Sequence, residues 1–235
     1  MCTVIISVPV PGEGAVRLVA VRDEDPERAW DRLGPWWPDA YPGVVGVRDR
    51  RAGGAWLAAG DGRLAVLLNR ADLSERAPSE LVSRGGVVLE AVAGRMPSGD
   101  PRTHGFHLVQ ADATGARVVT WNGVALRTVE LPPGVHMIAH DDIDDPDTAR
   151  IDAWLEEFRA APLGDGDDWA TPWLDILGRS DLGVGDDRAI IRDNRPFGYP
   201  TQSLLLCTAV VSDAGVDVRY AELDRPGHWN DVRPA

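Results

Sequence analysis

A chain of 235 residues, 44% of them hydrophobic, is long enough to bury a substantial core. Its 37 acidic residues against 24 basic ones leave a net charge of −13, a surface that repels nucleic acid and anionic lipid, so neither is expected as a main partner. Every basic residue is arginine, which excludes P-loop, Schiff-base and Ser–Lys chemistries, since each needs a lysine.

The opening segment CTVIISVPV is rich in β-branched residues, and the turn PGEG separates it from AVRLVAVRDED. Together they predict a β-hairpin, residues 2–10 with 15–22. The stretch 29–54, full of turns and aromatics, reads as an irregular excursion over the core. A second hairpin follows in AWLAAGDGRLAVLLN, with Asp61-Gly62 as its turn. Residues 78–94 carry apolar residues at helical spacing behind Pro78 and Ser79, although Gly85 and Gly86 each cost about 1 kcal/mol against alanine. Strands resume in HGFHLVQAD, ARVVTWNG and LRTVEL.

After a short apolar stretch the acidic run HDDIDDPD leads into a helix, with Asp145 as N-cap and Pro146 at its first position. PLGDGDD is a loop and TPWLDILGR a short helix. The last hairpin is QSLLLCTAVV, SDAG, VDVRYAEL. Hairpins at both ends with helices clustered between them predict an α+β fold over one domain, residues 1–235, and not a doubly wound parallel sheet.

Most local motifs carry no chemistry. His104 and His107 lie three apart on an expected strand, which sends them to opposite faces and prevents a shared metal. DDIDDPD lacks the glycine and the terminal glutamate of a calcium loop. Cys2 and Cys207 make neither a disulfide framework nor a zinc site, and Cys207, inside LLLCTAVV, reads as a buried apolar thiol. No metal is expected. Without a signal peptide or a membrane-length apolar run, a cytoplasmic setting is expected.

Cys2 differs because of its position. Removal of Met1 would place a thiol and a free α-amine on one residue. The amine titrates near 7.7–8.0 and the thiol near 8.5, so the amine can accept the thiol proton near neutral pH. One residue then supplies both nucleophile and base.

The neighbouring segments add to this. MCTVIISV, LVAVRDED, YPGVVGVRDRRAGGAWLAAGDGRLAVLLN, SRGGVV, GFHLVQAD and YPTQSLLL occur in order. Their order and spacing resemble the NRDE family, also called the transport-and-Golgi-organisation family, across nearly the whole chain, least well in 140–190. The resemblance implies an N-terminal-nucleophile hydrolase fold, four αββα layers with two antiparallel sheets between helices. Cys2 then matches the family's nucleophile. Asp23 matches the aspartate that would hold the α-amine, and Arg22 the arginine that would lower the thiol pKa. Asn69 matches a strand-end asparagine suited to an oxyanion, and Gly54 and Trp56 match an element that would line the pocket.

Several positions depart from the pattern. Val21 replaces an asparagine, Ala55 a threonine and His107, at a substrate-binding position, an asparagine. His140 falls where the family often has an asparagine and could donate one hydrogen bond in its place. Pro200 stands where an arginine is expected, with neither a side-chain charge nor a backbone donor. The resemblance implies an amidase acting through Cys2 on a small-molecule amide, without a cofactor. Its alternative is a non-catalytic protein of the same fold that carries an apolar ligand, haem or an acyl-lipid.

Overall fold

The β-branched opening forms the first strand in a computed structural model that describes residues 2–164 and 166–235. In chain order come β1 (Thr3–Val8), β2 (Val16–Glu24), β3 (Trp30–Gly34), β4 (Val45–Asp49), β5 (Ala55–Gly60) and β6 (Arg63–Asn69). Helix α1 (Gly85–Val92) precedes β7 (Phe106–Asp112), β8 (Gly115–Trp121), β9 (Leu126–Glu130) and β10 (Gly134–Ile138). Helices α2 (Ala149–Ala160) and α3 (Thr171–Arg179) lead to the final hairpin, β11 (Gln202–Ser212) and β12 (Gly215–Glu222).

All strand pairs are antiparallel. β3 to β9 run in sequence order as a seven-stranded meander, and β10-β1-β2-β11-β12 make a five-stranded sheet. Asp61 and Gly62 have φ values of 50° and 70°, the left-handed pair that a two-residue hairpin of right-twisted strands requires.

Alternation along the strands sorts the core into three seams. Val4, Ile6, Leu18, Ala20 and Cys207 point between the sheets and meet Leu57, Leu64, Val66 and Val109. Ile5, Val19, Val21 and Leu206, one residue out of phase, pack outward on Trp154, Phe158, Trp173 and Leu177 of α2 and α3. On the other outer face Ala58, Leu67, Phe106 and Trp121 lie beneath Val88, Leu89 and Val92 of α1. The layers therefore run helix, seven strands, five strands, helices, the order expected for this α+β sandwich.

Four local expectations are corrected. The excursion over 29–54 contains β3 and β4, which pair with a register shift between Asp31 and Gly34. Arg48 Nε donates to Asp31 Oδ2 at 2.7 Å, so charged pairs take the place of apolar alternation at this sheet edge. The apolar stretch before the acidic run is strand β10. The expected helix over 78–94 is helical only from Gly85, because Pro78–Glu80 forms a separate 3-10 turn in which Glu80 Oε2 accepts the Ala77 N–H at 2.9 Å. Lastly, Thr148, not Asp145, holds the N-cap position of α2, and its hydroxyl donates to Asp141 Oδ2 at 2.8 Å and makes no side-chain cap. The Asp145 carboxylate instead accepts the Asp147 N–H at 2.9 Å, closing a turn ahead of the helix.

Candidate active site

A cleft of about 240 Å³ opens where the start of β1, the end of β2, strands β5 and β6 and the start of α1 converge. Cys2, Arg22, Asp23, Trp56, Asn69 and Arg84 line it. Strand pairing accounts for the first three: Thr3 faces Val21 across the ladder, which sets Cys2 beside the end of β2. Cys2 is buried, and its Sγ lies 3.7 Å from the Asp23 carbonyl oxygen as a weak thiol hydrogen bond. Burial pushes the thiol pKa up, so the sulfur is a protonated thiol in this environment.

Arg22 and Asp23 are sequence neighbours on opposite faces of β2. Arg22 turns between the sheets, where Nη2 lies 3.3 Å from Glu24 Oε2 and the guanidinium carbon 5.9 Å from the Trp56 ring. Its Nη1 and the Trp56 Nε1 are both buried without a hydrogen-bond partner. Two buried donors left unmatched in one cleft are costly, at about 1–3 kcal/mol each, unless something there accepts from them. Asp23 turns towards the helices. Its carboxylate accepts from Ser203 Oγ at 2.7 Å and from Asn194 Nδ2 at 3.3 Å.

Gly54 does not line the cleft but shapes it. A Cβ there would lie 2.5 Å from the Gly85 carbonyl carbon, so only glycine lets β5 meet the start of α1 this closely. His107 sits apart, on the inner face of β7, with Nδ1 2.9 Å from Thr120 Oγ1 and Nε2 3.1 Å from Arg70 Nη1. Because Arg70 can only donate, Nε2 accepts and Nδ1 carries the proton. Burial and the Arg70 charge lower the His107 pKa to about 4. His140 also lies outside the cleft. It lines a second cavity with Arg150 and Arg192, on the helix side of Asp23, and its Nε2 is 3.1 Å from Asp141 Oδ2. His104 precedes β7 and meets Asp72 at 2.6 Å.

Several cleft residues were not singled out from the sequence. Arg84 and Gly85 belong to the segment SRGGVV, which carried that signal. Arg84 Nη1 donates to the Gly105 carbonyl at 2.9 Å, and burial lowers its pKa. Arg28 and Asp49 form an ion pair at the rim, with Nε 2.8 Å from Oδ2; Asp49 belongs to the quoted segment YPGVVGVRDRRAGG, whereas Arg28 has no sequence signature. Glu24 completes the rim. Pro200 lies in an adjoining depression lined by three arginines, Arg28, Arg50 and Arg51, and three acidic residues, Glu24, Asp25 and Glu27, so no excess of positive charge replaces the arginine that is missing. Among the described residues, no group of three or more His, Cys, Asp or Glu could hold a metal ion.

The model of the family described as Transport and Golgi organisation 2 matches residues 1–167, well over half of the chain. The chain belongs to the Transport and Golgi organisation 2 family. No curated protein matches it. All the cleft residues fall inside the part matched by the Transport and Golgi organisation 2 model, whereas Asn194 and Ser203, which hold Asp23, fall beyond it. Among the described residues, no helix is long and apolar enough to cross a membrane.

Proposed function

We propose that this member of the family is an N-terminal cysteine amidohydrolase, with Cys2 as nucleophile once Met1 is removed. Met1 itself lies outside the described residues. In this reading the α-amine of Cys2 takes the thiol proton and Sγ attacks the amide carbonyl carbon. The negative oxygen of the tetrahedral intermediate is stabilised by donors of the residues that line the cleft: the unpartnered Arg22 Nη1 and Trp56 Nε1, with the Asn69 amide as a third. Collapse breaks the C–N bond, and the amine leaves with the proton held by the α-amine. Water then hydrolyses the thioester to a carboxylic acid and restores the thiol. The Asp23 side chain, fixed by Ser203 and Asn194, would orient the α-amine beside it.

The observation that carries this reading is the meeting of a thiol at position 2 with two buried, unmatched donors in one cleft. Neither donor is satisfied by the protein, and an oxyanion would satisfy both. The experiment is a panel of acyl p-nitroanilides with the processed protein and its Cys2→Ala variant. Nitroaniline release that is lost in the variant, together with an acyl adduct mapped to Cys2, supports the reading. Release at an unchanged rate in Cys2→Ala removes it.

A second reading rests on a different place. A groove of about 360 Å³ beside α1 exposes a largely apolar surface, to which Val82, Val87, Met96 and Pro97 contribute, with Glu90, Arg95 and Arg102 also in its walls. It lies at the low end of ligand-pocket sizes, and no histidine or cysteine lines it, so it suits an acyl chain better than haem. Saturable binding of a fluorescent fatty acid, weakened by Val87→Asp and not by Cys2→Ala, would support the carrier reading.

A further inference from the structure

Three arginines and three carboxylates line the cleft that holds Cys2: Arg22, Arg28 and Arg84 against Asp23, Glu24 and Asp49. Five of these charges are engaged by the protein. Arg22 Nη2 meets Glu24 at 3.3 Å, and Arg28 Nε meets Asp49 at 2.8 Å and Glu24 at 3.9 Å. Asp23 turns to the helix side, held by Ser203 and Asn194, and its charge acts there on Arg150 and Arg192. Arg84 remains. It is partly buried just ahead of α1, its Nη1 donates to the Gly105 carbonyl at 2.9 Å, and among the described residues it has no ion-pair partner.

The carboxylates whose charge reaches Arg84 are taken up elsewhere. Glu24 is held by Arg22 and by the Asp25 N–H at 3.0 Å, and Asp72 by His104 at 2.6 Å and the Ser74 N–H at 3.0 Å. Cys2 acts on Arg84 more strongly than either, which sets this charge on the nucleophile's side of the cleft. A guanidinium drawn out of water without a paired carboxylate is unfavourable, and a bound carboxylate with its forked geometry relieves it. The eight-residue helix α1 adds to the pull: its first turn carries no acidic residue, and its first residue, Gly85, lines the cleft. Independently, Arg22 Nη1 and Trp56 Nε1, on residues of the same cleft, are buried without an acceptor. At about 240 Å³ the cleft suits a small group, and it shares Glu24 and Arg28 with the adjoining depression of about 680 Å³.

We infer that Arg84 selects the substrate of this cleft: an amide that carries a carboxylate a few bonds from the scissile carbonyl, the carboxylate paired with Arg84 at the start of α1. The position of the amide rests on Cys2 as nucleophile; the binding of the anion does not.

The test is calorimetric titration of the Cys2→Ala protein, in which no thioester can form, with two carboxylates and their neutral carboxamides. Glutaranilate against glutaramide anilide places the charge on the acyl side, and hippurate against hippuramide places it on the amine side. Saturable binding of at least one carboxylate is expected, with its carboxamide weaker by about 10-fold or more, and the tighter carboxylate tells which side bears the charge. Arg84→Gln in the same background is expected to weaken that carboxylate by about 10-fold or more and to leave its carboxamide within about twofold.

The inference is overturned by an absence of saturable carboxylate binding at millimolar concentrations or by carboxamides that bind as tightly. An Arg84→Gln protein that melts like its parent and keeps the full affinity overturns it too. If that variant does not fold, the comparison of carboxylate with carboxamide on unaltered Arg84 decides. Failure of the hydrolase reading looks different. Carboxylate binding without turnover by the processed parent removes the hydrolase and keeps the Arg84 subsite. Turnover of neutral amides with kcat/KM equal to that of the carboxylates removes the subsite and keeps the hydrolase.

Discussion

Ser203 Oγ donates to Asp23 Oδ1 at 2.7 Å, a bond between residues 180 positions apart that ties β11 to the end of β2 beside Cys2. The same hydroxyl accepts the Arg192 N–H at 3.0 Å, so one serine fixes both the carboxylate of the first cleft and the backbone of the second cavity. Asn194 Nδ2 supplies a further donor to Asp23. The Asp23 carboxylate is thus positioned by residues from the far end of the chain.

Asp23→Ala is expected to destabilise the protein by about 1.5–3 kcal/mol, the value of hydrogen bonds to a buried charged group plus the stranding of their donors. Asp23→Asn keeps an acceptor for Ser203 and is expected to cost less. Denaturant unfolding of both variants checks the order; equal stability of Asp23→Ala and the parent would contradict this geometry.

Trp56→Phe separates catalysis from stability. The indole Nε1 has no hydrogen-bond partner, so its removal strands nothing and is expected to leave unfolding within about 1 kcal/mol of the parent. If Nε1 stabilises an oxyanion, turnover is expected to fall by about 10²–10³. A steady-state assay alongside a melt reads both, and unchanged turnover would remove the indole from the oxyanion donors.

His107 gives the fold an acid-side weakness. Its pKa falls from 6.5 to about 4 in the folded protein. The unfolded chain therefore binds a proton here before the folded one does, and the stabilising contribution is complete above pH 6.5. That contribution is lost as pH falls from 6.5 towards 4, at about 1.4 kcal/mol per pH unit. His136, raised by its hydrogen bond to Asp144, works in the opposite sense: its contribution is full below pH 6.5 and lost as pH rises through the folded value. Unfolding of the parent and of His107→Asn from pH 7 to pH 4.5 isolates the term. The variant is expected to show the shallower acid slope; parallel slopes would mean that His107 is not the group responsible.

Two glycines of α1 and its neighbouring strand should respond in opposite ways. Gly54→Ala drives a Cβ to 2.5 Å from backbone that cannot yield, and is expected to cost about 1–3 kcal/mol and to widen the cleft. Gly86→Ala meets open space inside a helix and is expected to stabilise by about 0.5–1 kcal/mol. Thermal melts of the two single variants check the signs.

These contrasts mark where the sequence is readable. Asp61-Gly62 states its turn because only a left-handed pair closes that hairpin, and Cys207 declares its burial through the apolar run around it, Leu204–Leu206 before and Ala209–Val211 after. Trp30–Gly34 hides its strand because a sheet edge held by Arg48–Asp31 pairing needs no apolar alternation. Gly85 and Gly86 argue against a helix by propensity, yet Gly85 marks its start, because contact with Gly54 outweighs intrinsic preference there. Within the cleft, Cys2, Arg22, Asp23, Trp56 and Asn69 come together as the ordered motifs suggest. His107 and His140 lie elsewhere, since a matched position in a motif does not say which face of a strand or which side of a sheet a side chain takes. Arg28, Arg150 and Arg192 are invisible in sequence because their meaning comes only from tertiary contacts.

The measurement that bears most directly on the central claim is the intact mass of the protein purified in native form from its own cells, with peptide mapping of the first residues. A mass lower by one methionine, with Cys2 at the N-terminus, is the predicted result, and places thiol and α-amine on one residue. A full-length mass with Met1 retained would contradict the account, because the α-amine would then be on the wrong residue to take the thiol proton.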